Sequence, residues 1–245
     1  MQRRIHWLDD GDETLFPSPD QALTRPNGLV AIGGNLSERR LLAAYRRGIF
    51  PWFEEDQPVL WWSPDPRAIL VPDAVHVGRS LRKRLRKAGF EVTLDTAFDD
   101  VITACAAPRG GETGTWITKD MHDAYCHLHD RGFAHSVEVW HHLRLVGGLY
   151  GVALGRAFFG ESMFSRAPDA SKVGLIHLAG QLSRWGFHVL DCQILSPHLA
   201  ALGARECSRA QFLEGLDAAL AYPDRQGHWR FDADFTPLPR RETPE

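Results

Sequence analysis

Cysteine is scarce in this chain of 245 residues, where Cys105, Cys126, Cys192 and Cys207 are the whole set. None falls in a Cys-x-x-Cys pair, so a zinc ribbon is not expected. Nor is a disulfide framework expected at this size without a secretion signal. The opening stretch, Met1 to Asp10, lacks the apolar core of a signal peptide. No segment approaches the roughly 20 apolar residues that span a bilayer. Cytoplasmic residence without membrane contact is therefore the expectation. Internal repeats and low-complexity tracts are missing as well. His122, Cys126 and His129 fall on one helical face, but three ligands with no carboxylate partner nearby fit an ordinary helix side, and no metal is expected.

A global excess of positive charge is also absent, since the net charge is −3. Hydrophobic content of 44% and charged content of 24% are those of a soluble globular protein. The length suits one large domain or an ordinary domain with a smaller companion. The charge that is present is unevenly placed. Arg79 to Lys87 holds six cations and no acid. At about 100° per residue, Arg79, Arg82, Lys83, Arg86 and Lys87 gather on one side and Leu81, Leu85 and Ala88 on the other. Without Glu partners at i+4, that basic face points to a polyanion, a phosphate backbone above all.

Two stretches place polar groups inside apolar runs. One is Phe159-Gly160-Glu161-Ser162-Met163-Phe164-Ser165 and the other is Leu190-Asp191-Cys192-Gln193. A pleated strand sends alternate side chains to opposite faces. Phe159, Glu161, Met163 and Ser165 are thus expected on one face, and Asp191 and Gln193 on one face of the other strand. If the faces meet, they make an apolar pocket with two carboxylates, an amide and a hydroxyl, but no nucleophilic cysteine, triad or metal cage. Such a pocket suits a substrate that arrives already activated.

The first 65 residues are rich in Pro, Gly and aromatics. Ser37 could cap a helix through Tyr45, with Gly48 ending it. The prolines of Trp61-Trp62-Ser63-Pro64-Asp65-Pro66-Arg67 forbid a helix there, and the boundary is drawn at that point: a small α/β domain over 1–65 and a larger domain over 66–245 with a loose tail. In the larger domain the expected order is strand (68–71), basic helix, strand (91–95), helices (98–107 and 119–131), three antiparallel strands (136–141, 145–154, 157–164), helix (170–185), strand (188–194) and helices (196–202 and 209–220). This is an α+β order with a mixed, largely antiparallel sheet flanked by helices, compatible with the N-acetyltransferase-like (GNAT-like) architecture.

Five motifs in sequence carry a resemblance: Tyr45 to Phe53, Trp61 to Arg67, Gly114-Thr115-Trp116-Ile117-Thr118, Gly160 to Ser165, and Asp191-Cys192-Gln193. Together they resemble the leucyl/phenylalanyl-tRNA–protein transferases, from about Phe16 to about Leu220. The resemblance implies a bacterial cytoplasmic enzyme that moves Leu or Phe, and Met less well, from aminoacyl-tRNA to proteins beginning with Arg or Lys, marking them for degradation. It implies no cofactor, and a monomer is expected.

Aminolysis of an ester needs a neutral amine near the carbonyl, a proton acceptor and help for the oxyanion. Asp191, Gln193 and Glu161 are the catalytic candidates. Asp191 could act on the proton; alternatively Asp191 and Glu161 could bind the cationic acceptor while the tRNA ribose assists. Leu149, Phe158, Met163 and Ile194 are candidates for the apolar donor pocket, with Met usual in the family where Leu149 stands. The resemblance adds Tyr45, Trp52 and Trp116 as donor contacts, the tryptophans suiting the terminal adenosine and the Tyr45 hydroxyl the pocket mouth, and Ser165 is a further hydrogen-bonding candidate. Trp61 and Trp62 suit burial between domains. The basic helix then suits the acceptor stem. An acyl-CoA-dependent enzyme would need a pyrophosphate-binding turn, and Arg109-Gly110-Gly111-Glu112 has the wrong spacing for one. A non-catalytic RNA-binding module leaves Glu161 and Asp191 unexplained.

Overall fold

The computed structural model describes residues 5–87, 89–108 and 116–237. Gly114, Thr115, the Arg109–Glu112 turn, Ala88 and residues 238–245 of the expected tail lie outside them. The N-terminal part forms a four-stranded sheet, β1 (His6–Leu8), β2 (Leu29–Gly33), β3 (Phe50–Pro51) and β4 (Leu60–Trp62), in the order β1-β2-β4-β3. Between β2 and β3 runs α1 (Glu38–Tyr45). Ser37 caps it by accepting the Arg40 amide at 3.2 Å, and Gly48, at φ +67°, turns the chain out of it.

The remaining strands build a seven-stranded sheet: β5 (Arg67–Leu70), β6 (Glu91–Leu94), β7 (Ala134–His141), β8 (Arg144–Leu154), β9 (Ala157–Ser165), β10 (Val189–Gln193) and β11 (Arg205–Cys207), ordered β11-β5-β10-β9-β8-β7-β6. Its neighbours are antiparallel except β9 and β10, which run parallel. The helices are α2 (Arg79–Lys87), α3 (Phe98–Ala106), α4 (Lys119–Asp130), α5 (Ala170–Arg184), α6 (Pro197–Ala200) and α7 (Arg209–Leu220). The mixed, largely antiparallel sheet expected from the sequence is present. β11 and the strands of the first sheet had no clear periodic signal, being two to five residues long.

Burial explains the layering. On one face α3 and α4 supply Val101, Ile102, Met121 and Tyr125 to a cluster that also takes Leu41, Tyr45 and Trp61 of the N-terminal part and Phe212 of α7. On the other face α5 supplies Leu175, Ile176, Leu178 and Leu182, packed against Leu149, Phe158 and Leu190. Leu81 and Leu85 of α2 also lean on this second side, leaving Arg79, Lys83 and Arg86 exposed. The first cluster takes residues from both sides of position 65, so the two sheets pack together through it.

One local feature positions everything that follows. β9 and β10 pair only over Ala157–Phe159 and Val189–Asp191, and beyond that the strands part. Each strand carries an irregularity just there. The β8–β9 register slips between Gly151 and Tyr150, leaving Glu161 as the extra residue, and the β5–β10 register slips at Cys192. Gly151 lies opposite the first bulge, where a Cβ would stand 2.1 Å from the Phe159 carbonyl oxygen. The close backbone approach requires glycine.

Candidate active site

The fork between β9 and β10 opens into a cavity of about 680 Å³. Its apolar wall comes from Leu149, Phe158, Met163, Leu175 and Leu190. Trp116, Ala107 and Pro108 form another side. Glu161, Gln193 and Cys192 present the polar atoms at the fork itself. The bulge corrects the simple alternation expected for β9. Phe159 packs against Tyr45 at 5.1 Å between ring centroids, while Met163 pairs with Leu149 on the opposite face. Phe159 and Met163 therefore do not share a face, because the extra residue resets the alternation.

Glu161 is the hub. Its Oε1 accepts from the Gln193 side-chain amide at 2.9 Å, and its Oε2 accepts from the Tyr125 hydroxyl at 2.9 Å. The Tyr45 hydroxyl bonds both to this carboxylate and to the Tyr125 hydroxyl. Desolvation in this packed setting pushes the Glu161 pKa up to about 7, even though three hydrogen-bond donors pull the other way; the Asp191 charge adds to the rise. Burial, with the Glu161 charge beside them, drives the Tyr45 and Tyr125 hydroxyls well above the usual phenol range, so both remain protonated donors.

Asp191 sits behind this hub, fully buried, and does not line the cavity. Arg67 grips its carboxylate with two hydrogen bonds, Nε to Oδ1 at 2.8 Å and Nη2 to Oδ2 at 2.6 Å. Arg67 in turn lies between the rings of Phe50 and Phe212, at 4.8 and 4.5 Å, and donates Nη1 to the Gly48 carbonyl at 3.1 Å. Asp191 Oδ1 also accepts the Gln193 backbone N–H at 2.9 Å. Gln193 has φ +62°, a strained value for a residue with a side chain. The ion pair thus holds the bulge that aims the Gln193 amide at Glu161. Asp191 and Gln193 do not simply share a face, as the intervening bulge turns the second away from the first.

The other residues singled out in the sequence divide. Leu149, Phe158, Met163, Ser165 and Trp116 line the cavity. Tyr45 is buried behind the wall instead of standing at the mouth. Ile194 points outward, 56% exposed, because β10 ends at Gln193. Trp52, 46% exposed, packs against Trp62 at 6.0 Å and is outside the cavity lining. Trp61 is fully buried, edge-on to Phe16. Arg67 and Tyr125 were not singled out as site residues. Arg67 closed a quoted motif, whereas Tyr125 lies 36 positions from its partner Glu161, with nothing local to link them.

The thiols behave as packing groups. Burial pushes Cys126 up to about 12 and Cys192 higher still, so neither is a ready nucleophile. On α4, His122 and Cys126 come together at 3.8 Å with Asp99 of α3, while His129 turns away to the Ala134 carbonyl. The three helix-face residues therefore do not converge as their spacing suggested.

A forked-strand α+β protein with an apolar cavity, a desolvated carboxyl and an amide, and a fully engaged ion pair behind them, has the form of a transferase. Comparison with known proteins makes this particular. The family model for leucyl/phenylalanyl-tRNA protein transferase matches residues 69–217, and the model of that family's N-terminal domain matches residues 34–65. A leucyl/phenylalanyl-tRNA–protein transferase of Aromatoleum aromaticum is 61% identical over 212 residues, 86% of this chain and 89% of its own length. One from Thiobacillus denitrificans is 58% identical over 220 residues, 90% of this chain and 96% of its own. The chain belongs to the leucyl/phenylalanyl-tRNA–protein transferase family. Among solved structures, L-PGS from Bacillus licheniformis aligns over 70% of this chain and 57% of its own, at 11% identity and a TM-score of 0.38.

Proposed function

We propose that this chain transfers Leu or Phe, and Met less well, from aminoacyl-tRNA to the α-amine of proteins beginning with Arg or Lys, as a cytoplasmic monomer and without a cofactor. The single observation that carries the reading is the desolvated Glu161 carboxyl, held at the fork of β9 and β10 beside an apolar cavity. The forked strands also favour a GNAT-like arrangement for residues 66–245, with 1–65 as a smaller domain packed against it.

The donor side chain occupies the wall of Leu149, Phe158 and Met163, with Trp116 toward the terminal adenosine. Leu149 in place of the family's usual Met reshapes the far end of that wall. The acceptor α-amine, ordinarily with a pKa near 7.7–8.0, approaches Glu161. A carboxylate with a pKa of about 7 is well matched to take its proton. The amine nitrogen attacks the ester carbonyl, the C–N bond forms, and the bond to the ribose oxygen breaks. Glu161 returns the proton to that oxygen, leaving the enzyme unchanged. Gln193 orients the carboxylate, and Asp191 acts as a positioning residue through the Gln193 backbone. The alternative in which Asp191 itself takes the proton is disfavoured by its bidentate pairing with Arg67. The exposed cations of α2 receive the acceptor stem through its phosphates.

The test is transfer of labelled Leu or Phe from charged tRNA to model proteins that begin with Arg, Lys or Ala. Label is expected on the first two only. Equal label on the Ala protein would overturn the acceptor assignment.

A further inference from the structure

The donor cavity has a side chamber that the chemistry above does not use. It measures about 360 Å³ and shares Ser165, Arg166, Ser171 and His198 with the main cavity, adding Asp169 and Lys172. Its walls are the turn after β9, the first turn of α5 and the short helix α6. Ser165 ties the turn together, donating to the Ala167 carbonyl at 2.8 Å and accepting the Ser171 amide at 3.2 Å.

The chamber is cationic. Asp169 is the acid among its lining residues, and it already serves Lys172 at 3.0 Å and Arg84 of the basic helix at 3.1 Å. Arg166, over the Phe164 ring at 5.2 Å, has no carboxylate partner among the described residues. Arg166 Nη1 donates to the Leu145 carbonyl at 3.4 Å, whereas His198 Nε2 is buried and has no hydrogen-bond partner among the described residues. Burial, with Lys172 beside it, holds His198 below its ordinary pKa, so it is a neutral imidazole able to donate from one nitrogen. A buried polar atom left without a partner costs free energy unless a ligand supplies one. An acceptor protein's N-terminus, doubly cationic, is repelled from such a place.

Position completes the case. The Arg84–Asp169 pair sets the end of α2 against the chamber, and the chamber opens on Ser165 into the donor cavity. The chamber thus lies between α2 and the fork.

We propose that this chamber binds the phosphodiester immediately preceding the terminal adenosine of the donor, through Arg166, Lys172 and His198. It rests on the aminoacyl-tRNA assignment above and extends it to one phosphate. Phosphate contacts of this kind fix register without reading sequence. The bound phosphate holds the terminal nucleotide against the mouth of the cavity, independently of the acceptor-stem contacts of α2.

The experiment compares two minimal donors, the 3′-leucyl esters of adenosine and of adenosine 5′-monophosphate, in transfer to a peptide beginning with Arg. The wild-type protein is expected to use the phosphorylated donor with a KM lower by on the order of tenfold, the size of one charge-assisted hydrogen bond. In Lys172→Ala and in Arg166→Gln the ratio of the two KM values is expected to shrink to about twofold or less. In Arg131→Ala, which pairs with Glu38 outside the chamber, the ratio is expected to match the wild type. Because each variant is read as a ratio, partial loss of folded protein cancels. No preference in the wild type, or a preference that survives both chamber variants, overturns the proposal. Charged tRNA is run beside the esters: if the wild type uses it but neither ester, this proposal falls alone, and if it does not use charged tRNA either, the aminoacyl assignment falls and takes this proposal with it.

Discussion

Replacing Glu161 with glutamine is expected to change how stability depends on pH, and the direction is fixed by the structure. Desolvation raises the Glu161 pKa from 4.5 to about 7. The folded protein therefore binds this proton more tightly than the unfolded chain does. Stability from that difference is fully present below about pH 4.5 and is lost as pH rises through about 7. A rise of about 2.5 in pKa, at about 1.4 kcal/mol each, sets a ceiling of about 3 kcal/mol. The amide of the Glu161→Gln variant would keep a carbonyl for one donor and lose the charge-assisted part of the others, a constant cost that does not vary with pH. The difference between variant and wild type should thus drift in favour of the variant by about 2–3 kcal/mol between pH 5 and pH 8. Urea unfolding at four pH values and fixed salt reads this directly. Parallel stability curves for the two proteins would refute the claim that burial desolvates this carboxyl, and a drift of the opposite sign would mean it is stabilised as an anion.

Two further outcomes follow from the same geometry. Arg67→Met leaves Asp191 buried and unpaired, which should cost about 3–5 kcal/mol in urea unfolding, while Arg67→Met with Asp191→Leu should recover most of it; equal losses in both proteins would show that the pair is not the cause. Reversing charge at Arg82, Lys83 and Arg86 should weaken tRNA binding and flatten its salt dependence by roughly 0.7–0.9 in log–log slope per lost phosphate contact. An unchanged slope would make α2 an ordinary wet surface.

How much was legible in the sequence depends on range. Elements governed by local patterns were readable to within a residue or two. α2 and α7 matched at both ends, and Ser37 capped α1 as its spacing suggested. The three-strand meander was readable from its alternation and turn. The two bulges were not, since an extra residue in a strand is set by what the partner strand and core demand, not by the strand's own pattern. That omission accounts for the misplaced face of Met163, whereas Ile194 turns outward because β10 ends one residue before it. Glu161, Asp191 and Gln193 stood out as polar groups in apolar runs, and they do form one linked network. Their partners did not stand out. Arg67 and Tyr125 join that network from β5 and α4, distant in sequence, and an arginine or tyrosine alone carries no mark of whom it will meet.

Single-turnover transfer of labelled Leu from charged tRNA to an Arg-beginning acceptor, measured for the wild type and Glu161→Gln at pH 8, tests the central claim most directly. Loss of the proton acceptor should slow the bond-forming step by on the order of 10²-fold or more, with the Ala-beginning acceptor unlabelled in both. A Glu161→Gln protein that forms product at close to the wild-type rate would contradict the account.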